Sequence, residues 1–505
     1  MKNSVLIVLC FCPIVILGQH RSILITDKKG VCEPSIKVNP NNTDEIVAGI
    51  VLDHIARSVD GGETWQLDKL TSPYGVWGDP VIDVDTAGSF YYYHLSNPPD
   101  GDWIDRIVCQ RSDDGGETWT KGTYTGLNGS KDQDKHWSIV DPYTNDSYLT
   151  WTEFDKYGSK DSTCMSRIRF SKSTDKALTW TTPKTISQQS GDCIDDDDTV
   201  EGAVPALGPQ GEIFVSWAGP RGIVFSRSTD KGENWSDEVL VDSMPNGWNF
   251  HIPGIYRANG LPITKCDLSE GEHHGRIYIN WCDQRSGEND TDVWLKYSDD
   301  QGRTWSEALK VNQAKPESHQ FFTWMDVDQA TGELYFVYYD RSRSSDNPWS
   351  TEVYMAFSAD GGATFIEFPV EAADRAFVPN PEVFFGDYNN ISVYDGIARP
   401  IWTRLENGQL SVWTSILDMN ELRTGIFRIR PELPSGYEGE YCLELFSGKK
   451  RKKVLSKKKF QKGDSSFTYI WDANKYPKGV YEIKLMIDRK KVWSKEINWD
   501  GETER

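Results

Sequence analysis

Asp79, Glu201, Asp387 and Tyr388 stand in short polar loops that each lead into an apolar strand-like run. The loops read Trp77-Gly78-Asp79-Pro80, Asp134-Lys135-His136-Trp137, Asp195 to Gly202, His319 to Trp324 and Phe385-Gly386-Asp387-Tyr388. Two carboxyl groups with pKa values pushed apart can serve as acid and base. Arg285, Arg341 and Arg404 recur at nearly the same place in three successive units, after Trp281-Cys282-Asp283-Gln284, Tyr339-Asp340 and Trp402-Thr403. A guanidinium binds a carboxylate through two parallel hydrogen bonds, so these three suit a substrate clamp. Salt bridges to neighbouring aspartates are the competing reading. His136, His251 and His319 are further candidates for substrate contact. A His or Tyr base beside an Arg that neutralises a uronate would suit a lyase; an ordinary polar contact is the alternative. Asp195, Asp196, Asp197 and Asp198 put four carboxylates in one loop, which suits Ca²⁺ without matching EF-hand spacing. A solvated acidic loop is the plainer account, and no cofactor is required.

The elements that position these residues come from a repeat. The pattern S-x-D-x-G-x-T-W occurs six times, at Ser58–Trp65, Ser112–Trp119, Ser173–Trp180, Ser228–Trp235, Ser298–Trp305 and, ending in Phe, Ser358–Phe365. The central aspartates are 54 to 70 positions apart, the spacing of a repeated supersecondary unit. In each unit the Asp carboxylate can accept turn amides, and Gly supplies the positive φ of a tight hairpin. Box three has Ala177 and Leu178 where Gly is usual, so a distorted turn is expected there. Short alternating runs flank the boxes, such as Gly211–Trp217, Gly222–Ser228 and Glu238–Asp242. These are strands. They predict an all-β, Asp-box β-propeller of four-stranded blades, with the box between strands three and four. Loops between strands two and three, and from strand four to the next unit, then share the face opposite the boxes. A seventh, box-less unit follows at Asn390–Tyr394, Ala398–Thr403 and Leu410–Ser415. It lacks a fourth strand, which Ser22–Thr26 could supply. Seven blades are favoured and six are possible.

The boxes resemble those of the sialidase superfamily, the BNR-repeat proteins, over most of residues 30–420. Sialidases use an arginine triad on a carboxylate, a Tyr–Glu nucleophile pair and an Asp acid. The resemblance therefore implies Arg285, Arg341 and Arg404 as the triad, Tyr388 with Glu201 as the pair, and Asp79 or Asp387 as the acid. The chain departs from the family at its first blade. Sialidases carry Arg-Ile-Pro there; this chain has Cys32-Glu33-Pro34-Ser35-Ile36, and His251-Ile252-Pro253 in mid-chain lacks the Arg.

The rest of the chain frames the expectation. A basic start and the apolar run Val5 to Leu17 read as a signal peptide over residues 1–18, too short to span a bilayer. The propeller is placed at 19–430. Residues 431–505 form a small β-sandwich that resembles the Ig-like or sorting domains ending many secreted Bacteroidota proteins, entered through a Pro-rich linker at 430–436. A net charge of −21 disfavours nucleic acid and anionic membranes as partners. Of the seven cysteines after the leader, Cys164–Cys193 and Cys266–Cys282 are the expected disulfides in an oxidising compartment. The protein is thus expected to be secreted or at the cell surface. It is read as a sialidase-like glycoside hydrolase on an anionic (sialylated, uronate or sulfated) glycan. A non-catalytic glycan- or protein-binding propeller and a polysaccharide lyase are the alternatives.

Overall fold

The computed structural model describes residues 22–343, 347–371 and 375–419, and then 426–429, 439–447, 450–460, 469–472, 476, 479–487 and 490–499. The leader at 1–18 and the linker at 430–436 lie outside the described residues. Every element among them is a β-strand. They divide into two compact units, one ending at Met419 and one from Ile426 onward.

In the larger unit, hairpin-connected strands pair in chain order into four-stranded antiparallel sheets. The first sheet is Ser35–Val38, Ile46–Ile50, His54–Ser58 and Gln66–Lys69. Five more follow, their innermost strands being Val81–Val84, Asp132–Val140, Glu201–Leu207, Ile263–Cys266 and Gln320–Asp328. A last sheet is built from Asn390–Tyr394, Ile397–Glu406 and Gln409–Ser415, and Ser22–Thr26 pairs with its outer strand. The two ends of this unit therefore lie in one sheet, which joins the N-terminal strand to the last repeat. The innermost strands touch in sequence, and Asn390–Tyr394 touches both Gln320–Asp328 and Ser35–Val38. The sheets thus surround a common axis. A hairpin of Asn249–Phe250 with Ala258–Asn259 is inserted before the fifth sheet.

The core repeats with the sheets. Trp151, Trp217, Trp281 and Trp402 occupy the second strands of four sheets and are fully buried. Truncating a ring of this size typically costs about 3–5 kcal/mol. The boxes are built alike. In the first, Asp60 Oδ1 accepts the Thr64 amide at 2.9 Å and Oδ2 accepts the Thr64 hydroxyl at 2.6 Å. Ser58 Oγ accepts the Gly62 amide at 2.9 Å. The third box is not distorted: Ala177 takes φ 59° and its amide still reaches Ser173 Oγ at 3.0 Å. The local hydrogen bonds outweigh the modest strain of two non-Gly left-handed residues, Lys176 and Ala177. Box aromatics cover the seams between sheets, with Trp235 on Phe170 at 5.1 Å and Trp305 on Phe225 at 5.2 Å.

Cys164 and Cys193 are disulfide-bonded, as expected. Cys266 and Cys282 are both free. They lie on paired strands, but Cys266 faces Ile277, five positions from Cys282. At about 3.3 Å per residue the offset is roughly 17 Å, far beyond the reach of a disulfide. The Cys164–Cys193 bridge closes a loop with a sequence separation of 29. Cys193→Ala is expected to cost about 3 kcal/mol, read as a lower denaturant midpoint.

The smaller unit contains a four-stranded sheet in the order Lys450–Phe460, Gly439–Ser447, Gly479–Ile487, Lys490–Trp499. Ile426–Ile429 pairs separately with Tyr469–Asp472. Leu443, Leu445, Tyr481, Ile483 and Leu485 are buried by strand alternation. Arg451, Lys452 and Lys453 are exposed on an edge strand, where charge blocks edge-to-edge pairing.

Candidate functional site

The innermost strands begin with a recurrent backbone kink. In five sheets a residue near the start of the innermost strand, two positions before its uninterrupted run of pairs, has a left-handed backbone. These are Glu33 (φ 48°), Asp79 (49°), Lys135 (47°), Gly202 (73°) and Phe322 (51°). Four of the five are not glycine, and each such residue costs on the order of 1–3 kcal/mol. Repeated strain at equivalent positions marks a place where side-chain direction is being set. The kinks gather polar groups around the axis on the face opposite the boxes.

Asp387 is the buried anchor of this group. Its carboxylate is met by Lys135 Nζ at 2.5 Å and by the Arg257 guanidinium, whose Nε donates at 2.7 Å and whose Nη2 also donates. Its amide donates to Glu33 Oε1 at 3.0 Å, and its carbonyl accepts from Asn259. Burial alone would raise this carboxyl, but Lys135 and Arg257 outweigh burial and hold it well below the usual range. Arg257 Nη1 also reaches Asp195 Oδ2 at 3.3 Å, and Tyr157 donates its hydroxyl to the same oxygen at 2.5 Å.

The other carboxyls are pushed the opposite way. Burial, then the charge of Asp79, raises Asp134 to about 8. Burial, then Asp195 and Asp134, raises Glu201 well above its ordinary value. Burial, then Asp387 and Asp79, does the same to Glu33. Asp79 sits amid these groups, and its charge is also felt by Lys135 and Tyr388. It is half-buried, and its Oδ2 has no hydrogen-bond partner. Trp137, Trp324 and Tyr388 pack together beneath, with centroids 4.3 to 6.3 Å apart, and line a small cleft with Lys135 and Asp387. Neighbouring carboxyls held in opposite protonation states are the arrangement acid–base catalysis uses.

The structure brings Asp79, Glu201, Asp387 and Tyr388 to this face but changes their roles. Tyr388 and Glu201 do not pair: the Tyr388 hydroxyl is buried without a partner, and Glu201 answers to Asp195 and Asp134. The arginine clamp is not formed. Arg285 is held by Asp283 at 2.6 Å and Asp242 at 3.4 Å. Arg404 is buried against Glu371 and Glu406. Arg341 donates to Pro253 O at 2.6 Å and Thr351 Oγ1 at 3.0 Å, over the Phe321 ring. Arg285 and Arg404 are taken up by carboxylates of their own neighbourhoods, whereas Arg341 meets a carbonyl and a hydroxyl and keeps Nη2 buried without a partner.

The histidines do not gather as a base set. His136 is buried and pushed to about 3, by burial and then by His94. His319 bonds Thr291 Oγ1 at 2.9 Å and is pushed to about 4, by burial, Arg341 and His251. His251 is exposed. The acidic loop does not converge either. Asp195 joins Arg257 and Tyr157, Asp196 and Asp197 accept from Asn249 at 3.0 and 2.8 Å, and Asp198 is exposed. Among the described residues no cluster of three or more His, Cys, Asp or Glu is arranged to hold a metal.

Sequence reasoning missed Glu33, Asp134, Lys135, Tyr157 and Arg257. A signal existed for three of them, since Glu33, Asp79 and Asp134-Lys135 occupy equivalent places before successive first strands.

Residues 146–382 match the BNR repeat-like domain, and residues 110–121 match the BNR/Asp-box repeat. The chain is 24% identical over 290 residues to a sialidase of Bacteroides fragilis strain YCH46, covering 51% of this chain and 48% of that protein. It thus spans about half the length of this curated relative. It is similar to the NanB sialidase of Streptococcus pneumoniae, at 9% identity over 70% of each chain with a TM-score of 0.45. It is also similar to the GH93 alpha-L-arabinofuranosidase of Fusarium graminearum, at 13% identity over 79% of this chain and 98% of that one, again with a TM-score of 0.45. With six boxes built to one pattern and a repeat domain matched over residues 146–382, the chain carries BNR/Asp-box repeats, and these findings support a sialidase-superfamily BNR fold.

Proposed function

We propose that this protein is an exported glycoside hydrolase acting on a neutral glycan, with its site at the axis of a seven-bladed propeller. The observation that carries the reading is Asp134, protonated up to about pH 8, beside Asp79. In this mechanism Asp134 donates a proton to the glycosidic oxygen as the bond breaks. Asp79 acts from the other side, either on the anomeric carbon or by activating water. Lys135 and Arg257 keep Asp387 ionised and hold the floor in place.

A neutral substrate is preferred over the anionic one that the sequence suggests. Six carboxyls face this site, and its two cations, Lys135 and Arg257, are both engaged by Asp387. An added carboxylate or sulfate would meet repulsion from these carboxyls, with both of these cations already engaged. Export is supported by Lys2 and the apolar run Val5 to Leu17.

The test is a product assay on the full chain against two panels. One holds arabinan, galactan, xylan and mannan. The other holds sialylated, uronate-containing and sulfated glycans. Release of sugar from the neutral panel is expected. Product from the anionic panel alone would overturn the substrate reading. No product from either, with folded protein that still binds glycan, would leave a non-catalytic binding propeller.

A further inference from the structure

Beside the acid cluster stand three aromatic rings that the proposed chemistry does not use. Trp77 and Trp103 are 38% and 39% exposed, whereas Trp151, Trp217, Trp281 and Trp402 are fully buried. Their ring centroids are 6.4 Å apart at 88°, and Trp103 meets Tyr157 at 5.7 Å and 79°. Tyr157 is tied through its hydroxyl to Asp195, which also contacts Arg257 of the floor. Trp77 lies two residues before Asp79. The three rings come from three loops of the same face, two of them between second and third strands.

These rings are held in place. The Trp77 amide donates to Leu95 O at 3.0 Å, and Leu95 N returns to Gly78 O at 3.1 Å. The loop carrying Trp103 is closed by Ile104 N to Ser96 O at 2.9 Å and Gln133 N to Ile104 O at 2.7 Å. Asp105 accepts Ser96 Oγ at 2.8 Å and pairs with Arg106. A loop with this much internal bonding presents its ring already ordered, which reduces the entropy cost of binding.

The geometry points to a sugar-stacking subsite formed by Trp77, Trp103 and Tyr157, occupied by a unit of a neutral glycan chain next to the unit held at Asp79 and Asp134. This deepens the proposed function and rests on it for the identity of the glycan chain. Aromatic faces match the C–H face of a sugar ring, and the carboxylates of Asp79 and Asp195 beside them accept from its hydroxyl rim. Three rings are far smaller than the roughly 800 Å² per partner of a stable protein interface, so a protein is the poorer occupant. The substrate is then an oligomer or polymer rather than a single terminal sugar.

Affinity electrophoresis of the full chain in gels containing soluble arabinan, galactan, xylan or mannan tests this. Wild type should be retarded by at least one of them. Trp103→Ala should weaken that retention about tenfold, the size of a lost aromatic contact of up to about 1.5 kcal/mol. Trp103→Phe should keep most of it. Tyr143→Ala removes a ring that is 65% exposed on the box side of the third sheet and should change nothing. Equal retention of Trp103→Ala and wild type would overturn the subsite, as would no retention by any of the four. Retention that depends on Trp103 in a protein without hydrolysis would sink the enzyme and leave the subsite. Hydrolysis with retention indifferent to Trp103 would do the reverse.

Discussion

Asp79→Asn lowers kcat/KM by about 10²–10⁴-fold, the range for loss of one acid–base group, and leaves the fold intact. The substitution isolates charge from strain. Asp79 has φ 49°, and Asn tolerates this region better than any residue but Gly. The side chain is half-buried and Oδ2 has no partner to lose, so thermal unfolding should scarcely move. Asp134→Asn is its companion. If Asp134 is the proton donor, wild-type kcat/KM falls as pH rises through about 8, and the variant loses that limb with most of its activity. Activity of Asp79→Asn within threefold of wild type would remove Asp79 from the chemistry. A pH limb unchanged in Asp134→Asn would remove Asp134.

Lys135→Met destabilises the protein by about 3 kcal/mol or more, because it leaves a buried carboxylate one partner short. Lys135 and Asp387 have side chains only 7% and 3% exposed, and Arg257 alone then holds Asp387. Met matches Lys in length, and the φ of 47° is equally strained in both, so packing and backbone nearly cancel. The pH dependence has a defined sign. Asp387 is depressed below its unfolded value near 3.9. Its contribution is present above about pH 4 and is lost as pH falls through the folded value. Asp134, raised to about 8, behaves oppositely: its contribution is full below about pH 4 and is lost as pH rises toward 8. Glu201 and Glu33, also raised, add to that decline. Stability should therefore peak near pH 4–5 and fall toward pH 8. Lys135 lowers all three of these groups, so the fall is steeper in Lys135→Met. Urea titrations at pH 5 and pH 8 read both effects. Equal midpoints for the two proteins at both pH values would contradict this account of the buried pair.

The boxes, the strand periodicity and the pairing of Ser22–Thr26 with the last sheet were legible because each is local or periodic. The Asp-box closes its own hydrogen bonds within eight residues, so the motif implies the turn wherever it occurs. Once the repeat gives the register, the loops of one face follow, and Asp79 and Asp387 were found that way. The Cys164–Cys193 bridge was legible for the same reason. Cys266–Cys282 failed because nearness in sequence does not set which residues face each other across a pair of strands.

What the residues around the axis do was decided only by the tertiary structure. Arg285 and Arg404 look like a clamp in sequence, but each meets carboxylates of its own neighbourhood first. Lys135 and Arg257 gain a shared role only when folding brings them to one carboxylate from positions more than 100 residues apart. Cys32-Glu33-Pro34 reads as a missing arginine, whereas in space Glu33 joins the carboxyl ring. Charge state follows burial and neighbours, and both are long-range. The sequence by itself determined the scaffold and the face on which the site would be built. The fold alone decided which carboxyls are protonated there, because the innermost strands must meet at one axis before their charges can act on each other.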